Sequence, residues 1–93
     1  MTDSEATYLL QYTYVEDVLD KRAPYRESHL ALIQAAKEAG NVFVAGAFGD
    51  PPIGGALGFK GLSKSEIEAW SDRDPYWVGG LVVERSIHPW KLV

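Results

Sequence analysis

The sequence predicts an α+β fold of the ferredoxin-like type, a βαββαβ sandwich of four antiparallel strands with both helices on one face. Three observations predict it. Short runs of strand formers alternate with two longer segments of helical spacing. The two middle runs are separated by a loop of hairpin length, and each outer run is joined to that pair through a helix. Two βαβ-like halves with right-handed crossovers then share one sheet.

Residues 7–14, TYLLQYTY, are β-branched, aromatic and leucine types, in a run too short for a helix. VEDVLDKRAP then carries polar and turn residues up to Pro24, with room for a short helical turn. YRESHLALIQAAKEAGN reads as a helix closed by Gly40-Asn41, since proline suits the first turn and glycine the position just past the end. VFVAGAFG at 42–49 and ALGFKG at 56–61 read as strands joined by DPPIGG, in which Asp50, Pro51 and Pro52 make a turn. SKSEIEAWSDRD opens with Ser63 three residues before Glu66, a capping-box pattern, and sets Ile67 and Trp70 toward the core. The last strand is LVVERSI at 81–87, ending before Pro89, which cannot donate to a ladder. With both helices on one side the other sheet face lies open. Its apolar candidates are alternate residues of the first and last strands, and a second copy docked through that face is the simplest cover.

Ninety-three residues allow one domain, 1–93, and a chain this short buries only about 60–65% of its unfolded surface, so a partner subunit helps it. Apolar residues at 46% and charged ones at 24% describe a chain that folds. The net charge is −4, the pI is near 5.0, and the nine Lys and Arg are scattered, which argues against nucleic acid. The absence of cysteine removes disulfides, thiolate nucleophiles and the usual structural zinc sites. MTDSEAT is polar and acidic, and no apolar run approaches a membrane span, so a cytoplasmic protein is expected.

No Walker loop, GxGxxG, HExxH or GxSxG is present, and DPPIGGALGFKG lacks the lysine and following helix of a phosphate cradle. The chemistry-bearing residues gather elsewhere. Arg22, Arg26 and His29 stand four and three residues apart, sharing one helical stripe that continues into Ile33 and Ala36. Such a stripe runs from a charged mouth to an apolar interior, with His29 at the boundary; a half-buried histidine making one hydrogen bond fits the same spacing. Asp74-Pro75 is most simply a helix stop and turn, and spacing does not decide whether Asp74 faces the first helix.

R-A-P-Y-R-E-S-H-L at 22–30, a helix ending in A-G, V-A-G at 44–46, A-W at 69–70, D-P-Y-x-x-x-G-L at 74–81 and P-W at 89–90 together resemble the YCII family of YciI-like proteins. The likeness runs in order over almost the whole chain. Where the family often has proline after the A-G of the second strand, this chain has Ala47. The resemblance implies a dimeric α+β barrel of ferredoxin-like protomers and an active site centred on a histidine and an aspartate, here His29 and Asp74. It places the motif's arginines at Arg22 and Arg26. The family includes a lyase-type enzyme of chlorinated aromatic breakdown, and most members have no assigned reaction.

The expected chemistry is proton transfer. His29 titrates near neutrality in its ordinary state and serves as general base or acid, with Asp74 fixing its tautomer. Arg22 or Arg26 holds an anionic oxygen of an enolate, phenolate or carboxylate, while Tyr76 and Trp77 offer an aromatic wall, with a core or dimer role equally open to Trp77. The partners expected are a small anionic or aromatic ligand and a second copy of the chain; no metal or organic cofactor is required, and neither nucleic acid nor membrane is involved. The same pocket would serve a non-catalytic binding module, and a structural or accessory homodimer would fill the space around His29. His88 is read as solvated or packed, outside the site.

Overall fold

The computed structural model describes residues 6–93; most of the polar opening read above lies outside them. Among the described residues, β1 (Thr7–Tyr14), β2 (Val42–Phe48), β3 (Gly54–Lys60) and β4 (Val82–Pro89) form one sheet in the order β2-β3-β1-β4. Every neighbouring pair is antiparallel. The helices are α1 (Val18–Lys21), α2 (Ala23–Glu38), α3 (Lys64–Asp72) and α4 (Pro75–Val78). The ferredoxin-like α+β arrangement is therefore the observed one, with one-turn helices α1 and α4 added ahead of α2 and β4.

Strand alternation decides which side of the sheet becomes core. On β1, Leu10 and Tyr12 are fully buried and pair with Leu57 and Gly55 of β3. Leu57 and Phe59 therefore share the helix-covered face. From α2 that face receives His29, Ile33 and Ala36, spaced four and three apart. From α3 it receives Ile67 and Trp70, and the Trp70 ring meets Phe59 edge-on at 5.0 Å.

Helices α2 and α4 end in the same way, and the glycines explain it. Gly40 has φ +83° and Gly80 φ +78°, a left-handed backbone that glycine adopts without a Cβ clash. After α2, Gly40 N–H donates to the Lys37 carbonyl and Asn41 N–H to that of Ala36; after α4, Gly80 donates to Trp77 and Leu81 to Tyr76. Both are Schellman closures, which satisfy the last carbonyls of a helix. They turn the chain sharply into β2 and β4, so α2 and α4 end at defined positions beside the sheet.

Three expectations are corrected. β3 begins at Gly54, two residues early, because Gly54 and Gly55 pair with Thr13 and Tyr12 instead of remaining in the loop. β4 extends through Pro89, opposite Tyr8; it is an edge strand, where a residue without an N–H is tolerated. The open face also differs in composition. β1 presents Leu9, Gln11 and Thr13 there, beside His88, Ser86 and Glu84 of β4, so most of that half is polar. Its apolar part comes from β2, where Phe43, Val44 and Phe48 are 38%, 48% and 39% exposed, and from Trp90, whose ring lies 6.1 Å from Phe43.

The expected capping box opens α3: Glu66 N–H donates to Ser63 Oγ, and Ser63 N–H donates to Glu66 Oε1 at 2.9 Å. That backbone bond lowers the Glu66 carboxyl below its ordinary value of 4.5. A lowered folded-state value means the contribution is present above the unfolded value and lost as pH falls through the folded one. Glu66→Gln, which caps without ionising, is expected to flatten the acid limb of stability, as read by urea denaturation between about pH 7 and about pH 3.

Candidate active site

Asp74 ends α3 and caps α4. Its carboxylate Oδ1 accepts the Tyr76 N–H at 3.0 Å, and Pro75 occupies the first helical position, where a missing N–H costs nothing. The D-P-Y tripeptide is thus an N-cap, a helix start and the first inward-facing side chain. Asp74 itself is 0% exposed.

A carboxylate removed from water needs donors on its oxygens. Asp74 has three. His29 Nδ1 lies 2.7 Å from Oδ1, Tyr76 N–H shares that oxygen, and the Tyr12 hydroxyl donates to Oδ2 at 2.9 Å. Ionised Asp74 only accepts, so in neutral His29 the proton sits on Nδ1 and Nε2 keeps the lone pair. His29, 6% exposed, is gripped a second way: its ring stacks on Tyr76 with 3.6 Å between centroids and 5° between planes. The same three-residue segment, Asp74 to Tyr76, therefore holds the imidazole at its edge and at its face.

The Tyr12 hydroxyl spends its single hydrogen on Asp74, so at its 2.8 Å contact with Ser71 the serine donates. Ser71 Oγ in turn accepts from Arg85 Nη1 at 3.0 Å. The chain Arg85 to Ser71 to Tyr12 to Asp74 runs one way, every link supplying a proton toward the carboxylate. Burial, followed by the Asp74 charge, drives the Tyr12 phenol well above the ordinary tyrosine range, so it stays a donor. Arg85 is anchored by Asp72 at 2.7 Å and lies 3.7 Å over the Trp77 ring. Trp77 thus packs on a guanidinium and against the core and does not line the cavity, so of the two places expected for it the core one is observed.

Beside His29 opens a cavity of about 280 Å³. Arg22, the N-cap of α2, and Arg26 line it together with His29 and Ile33, so the stripe read from spacing faces one space even though Pro24 lies between the arginines. Tyr76, beside His29, and Tyr14 line it too, and Ala45 and Leu57 of the sheet lie against the same space. A cavity of about 150 Å³ holds one benzene ring, so this one suits a single substituted ring or a compound of similar size. His88 is exposed on the open sheet face, away from the cavity.

His29, Asp74, Arg22, Arg26 and Tyr76 are therefore neighbours in space. Tyr12, Tyr14, Ser71 and Arg85 went unmarked by sequence reasoning. A period-two reading of TYLLQYTY puts Tyr12 and Tyr14 on one face, which was the available signal; Ser71 and Arg85 carried none.

Tyr12→Phe leaves Asp74 Oδ2 without its donor and the Ser71 hydroxyl hydrogen without its acceptor, Ser71 keeping only the bond from Arg85, and it is expected to lower stability by about 1–3 kcal/mol in denaturant titration. Ser71→Ala, which leaves the Tyr12–Asp74 bond in place, is expected to cost less.

Residues 6–91 match the model of the YCII-related domain. Protein YciI of Escherichia coli O6:H1 is 35% identical over 89 residues, covering 83% of this chain and 88% of that one, and Protein YciI of Shigella flexneri matches with the same figures. Among solved structures, the 5-chloro-2-hydroxyhydroquinone dehydrochlorinase of Burkholderia phenoliruptrix, in complex with 2,5-dihydroxybenzoquinone, superposes with a TM-score of 0.79 at 21% identity, over 94% of this chain and 95% of that one. That likeness is one of fold. With the family model spanning nearly the whole chain and curated relatives above 30% identity, the chain belongs to the YCII-related family.

Proposed function

We propose that this protein is a YciI-like enzyme that carries out proton-transfer or lyase chemistry on a small anionic or aromatic compound, with His29 and Asp74 as its working pair. The observation that carries the reading is the 2.7 Å His29–Asp74 bond, with the imidazole at the edge of a cavity of ring size. In this reading Nε2 takes a proton from the ligand, and Asp74 stabilises the imidazolium that forms. The developing anion is met by Arg22 and Arg26, which line the same cavity and carry fixed positive charge.

The dehydrochlorinase of the same fold supplies the kind of step this site suits. Elimination of HCl removes a proton from the substrate while chloride leaves with the electron pair of the broken carbon–chlorine bond. A base and an oxyanion clamp are the groups such a step asks of a protein. The same arrangement would serve any isomerisation or elimination that begins by deprotonating a hydroxyl or an acidic C–H.

The assembly proposed with it is a homodimer through the open sheet face. Its support is the apolar patch of Phe43, Val44, Phe48 and Trp90, which the helices leave uncovered.

Chloride release from 5-chloro-2-hydroxyhydroquinone tests the chemistry. His29→Ala is expected to lower turnover by roughly 10²–10⁴-fold, and Asp74→Asn by a comparable factor through the wrong tautomer; rates equal to wild type in both would overturn the reading. For the assembly, Phe48→Glu is expected to shift a sedimentation-equilibrium mass from dimer to monomer, and a monomeric wild type would overturn that part.

A further inference from the structure

Tyr76 is expected from the sequence to offer an aromatic wall to a ligand, and its surroundings point to a different contact. One face of the ring is occupied by His29 at 3.6 Å, and Tyr14 meets it at 79° with centroids 5.9 Å apart. What Tyr76 has to spare is its hydroxyl. The residue is 3% exposed, and among the described residues its Oη is the buried side-chain polar atom that has no hydrogen-bond partner. Such an atom loses its hydration on folding and recovers nothing from the protein. The residue that carries it lines the cavity that also holds His29, Arg22 and Arg26.

Tyr14 lines the same cavity from β1, and the sheet beneath its hydroxyl is built to receive it. A Cβ at Gly55 would stand 2.4 Å from Tyr14 Oη, so any residue but glycine there would push the phenol aside. Burial first, then Tyr76 and the Asp74 charge, raise the Tyr14 phenol to about 12, while Arg22 and Arg26 act against that rise. At neutral pH the group is a protonated donor within the field of both guanidiniums.

We propose that the Tyr14 and Tyr76 hydroxyls form a donor pair for a ligand oxygen, making the cavity a site for a phenolate or enolate anion. A carboxylate or phosphate is best received by guanidinium forks, whereas a single oxygen on a planar ring is well served by two phenol donors, with Arg22 and Arg26 balancing the charge. Tyr76 thereby joins the two halves of the site, since its backbone N–H holds Asp74, its ring holds His29 and its hydroxyl holds the ligand. This rests on the proposed use of the cavity and adds the chemical class of its occupant.

The test is equilibrium binding of 2,5-dihydroxybenzoquinone and 4-nitrophenolate, both coloured anions, followed by absorbance and by calorimetry. Tyr14→Phe and Tyr76→Phe are each expected to weaken binding about ten-fold or more, in line with the loss of a hydrogen bond to a charged group. Tyr76→Phe should do so while the melting temperature holds or rises, because it deletes an unpaired buried hydroxyl, and benzoate should bind less well than 4-nitrophenolate. Variants that bind both probes as wild type does would overturn the donor pair; a wild type that binds neither, or prefers benzoate, would overturn the ligand class. The readout is binding and not turnover, so this result stands apart from the proton-transfer test on His29.

Discussion

The buried carboxylate of Asp74 is the constraint around which the site half of the molecule is arranged. An ion removed from water costs several kcal/mol unless its oxygens are satisfied, and here the donors come from three separate pieces of chain. His29 comes from α2, Tyr12 from β1 and the Tyr76 amide from α4. Each can reach Asp74 only if its own element is in place. Satisfying one carboxylate therefore ties α2, β1 and the start of α4 together, and the cavity lies among α2, α4 and the sheet.

Behind this arrangement lies a division of labour between the two sheet faces. The helix-covered face combines large apolar side chains with a polar thread, Arg85 to Ser71 to Tyr12, that enters the core without an orphaned group because each hydroxyl both receives and gives a hydrogen bond. The other face is split, polar on β1 and β4 and apolar on β2. A protein of this size has little interior to spare, and it places its buried polar network where three elements already converge.

Most of the architecture was legible in the sequence. The Ser63–Glu66 box, Pro24 and Gly40 mark helix ends by chemistry that acts within a few residues, and such signals survive folding unchanged. The Arg22–Arg26–His29 stripe was legible for the same reason, being a matter of helical spacing. What spacing could not reach was partnership across the fold. Asp74 lies 45 residues from His29, and Tyr12 lies 62 from Asp74; the resemblance to the YCII family carried the first pairing, and nothing carried the second. Pro89 and the Gly54-Gly55 pair were misjudged because local rules ignore whether a strand lies at an edge or beside a partner that needs glycine. Tyr76 was recognised as part of the site but assigned to its ring, since a pattern does not reveal that the ring is already covered.

The double grip on His29 has a consequence for how protons can travel. Turning the imidazole over would break the bond to Asp74 and slide the ring off Tyr76 at the same moment, so the two nitrogens cannot exchange places. Nδ1 is held by Asp74, and in the proposed reaction Nε2 is the port. Under the proposed function, a proton that arrives at Nε2 departs from Nε2. In that proposed role the imidazole would be a reservoir with one door, suited to handing a proton back to the molecule it came from and unsuited to carrying it across the protein.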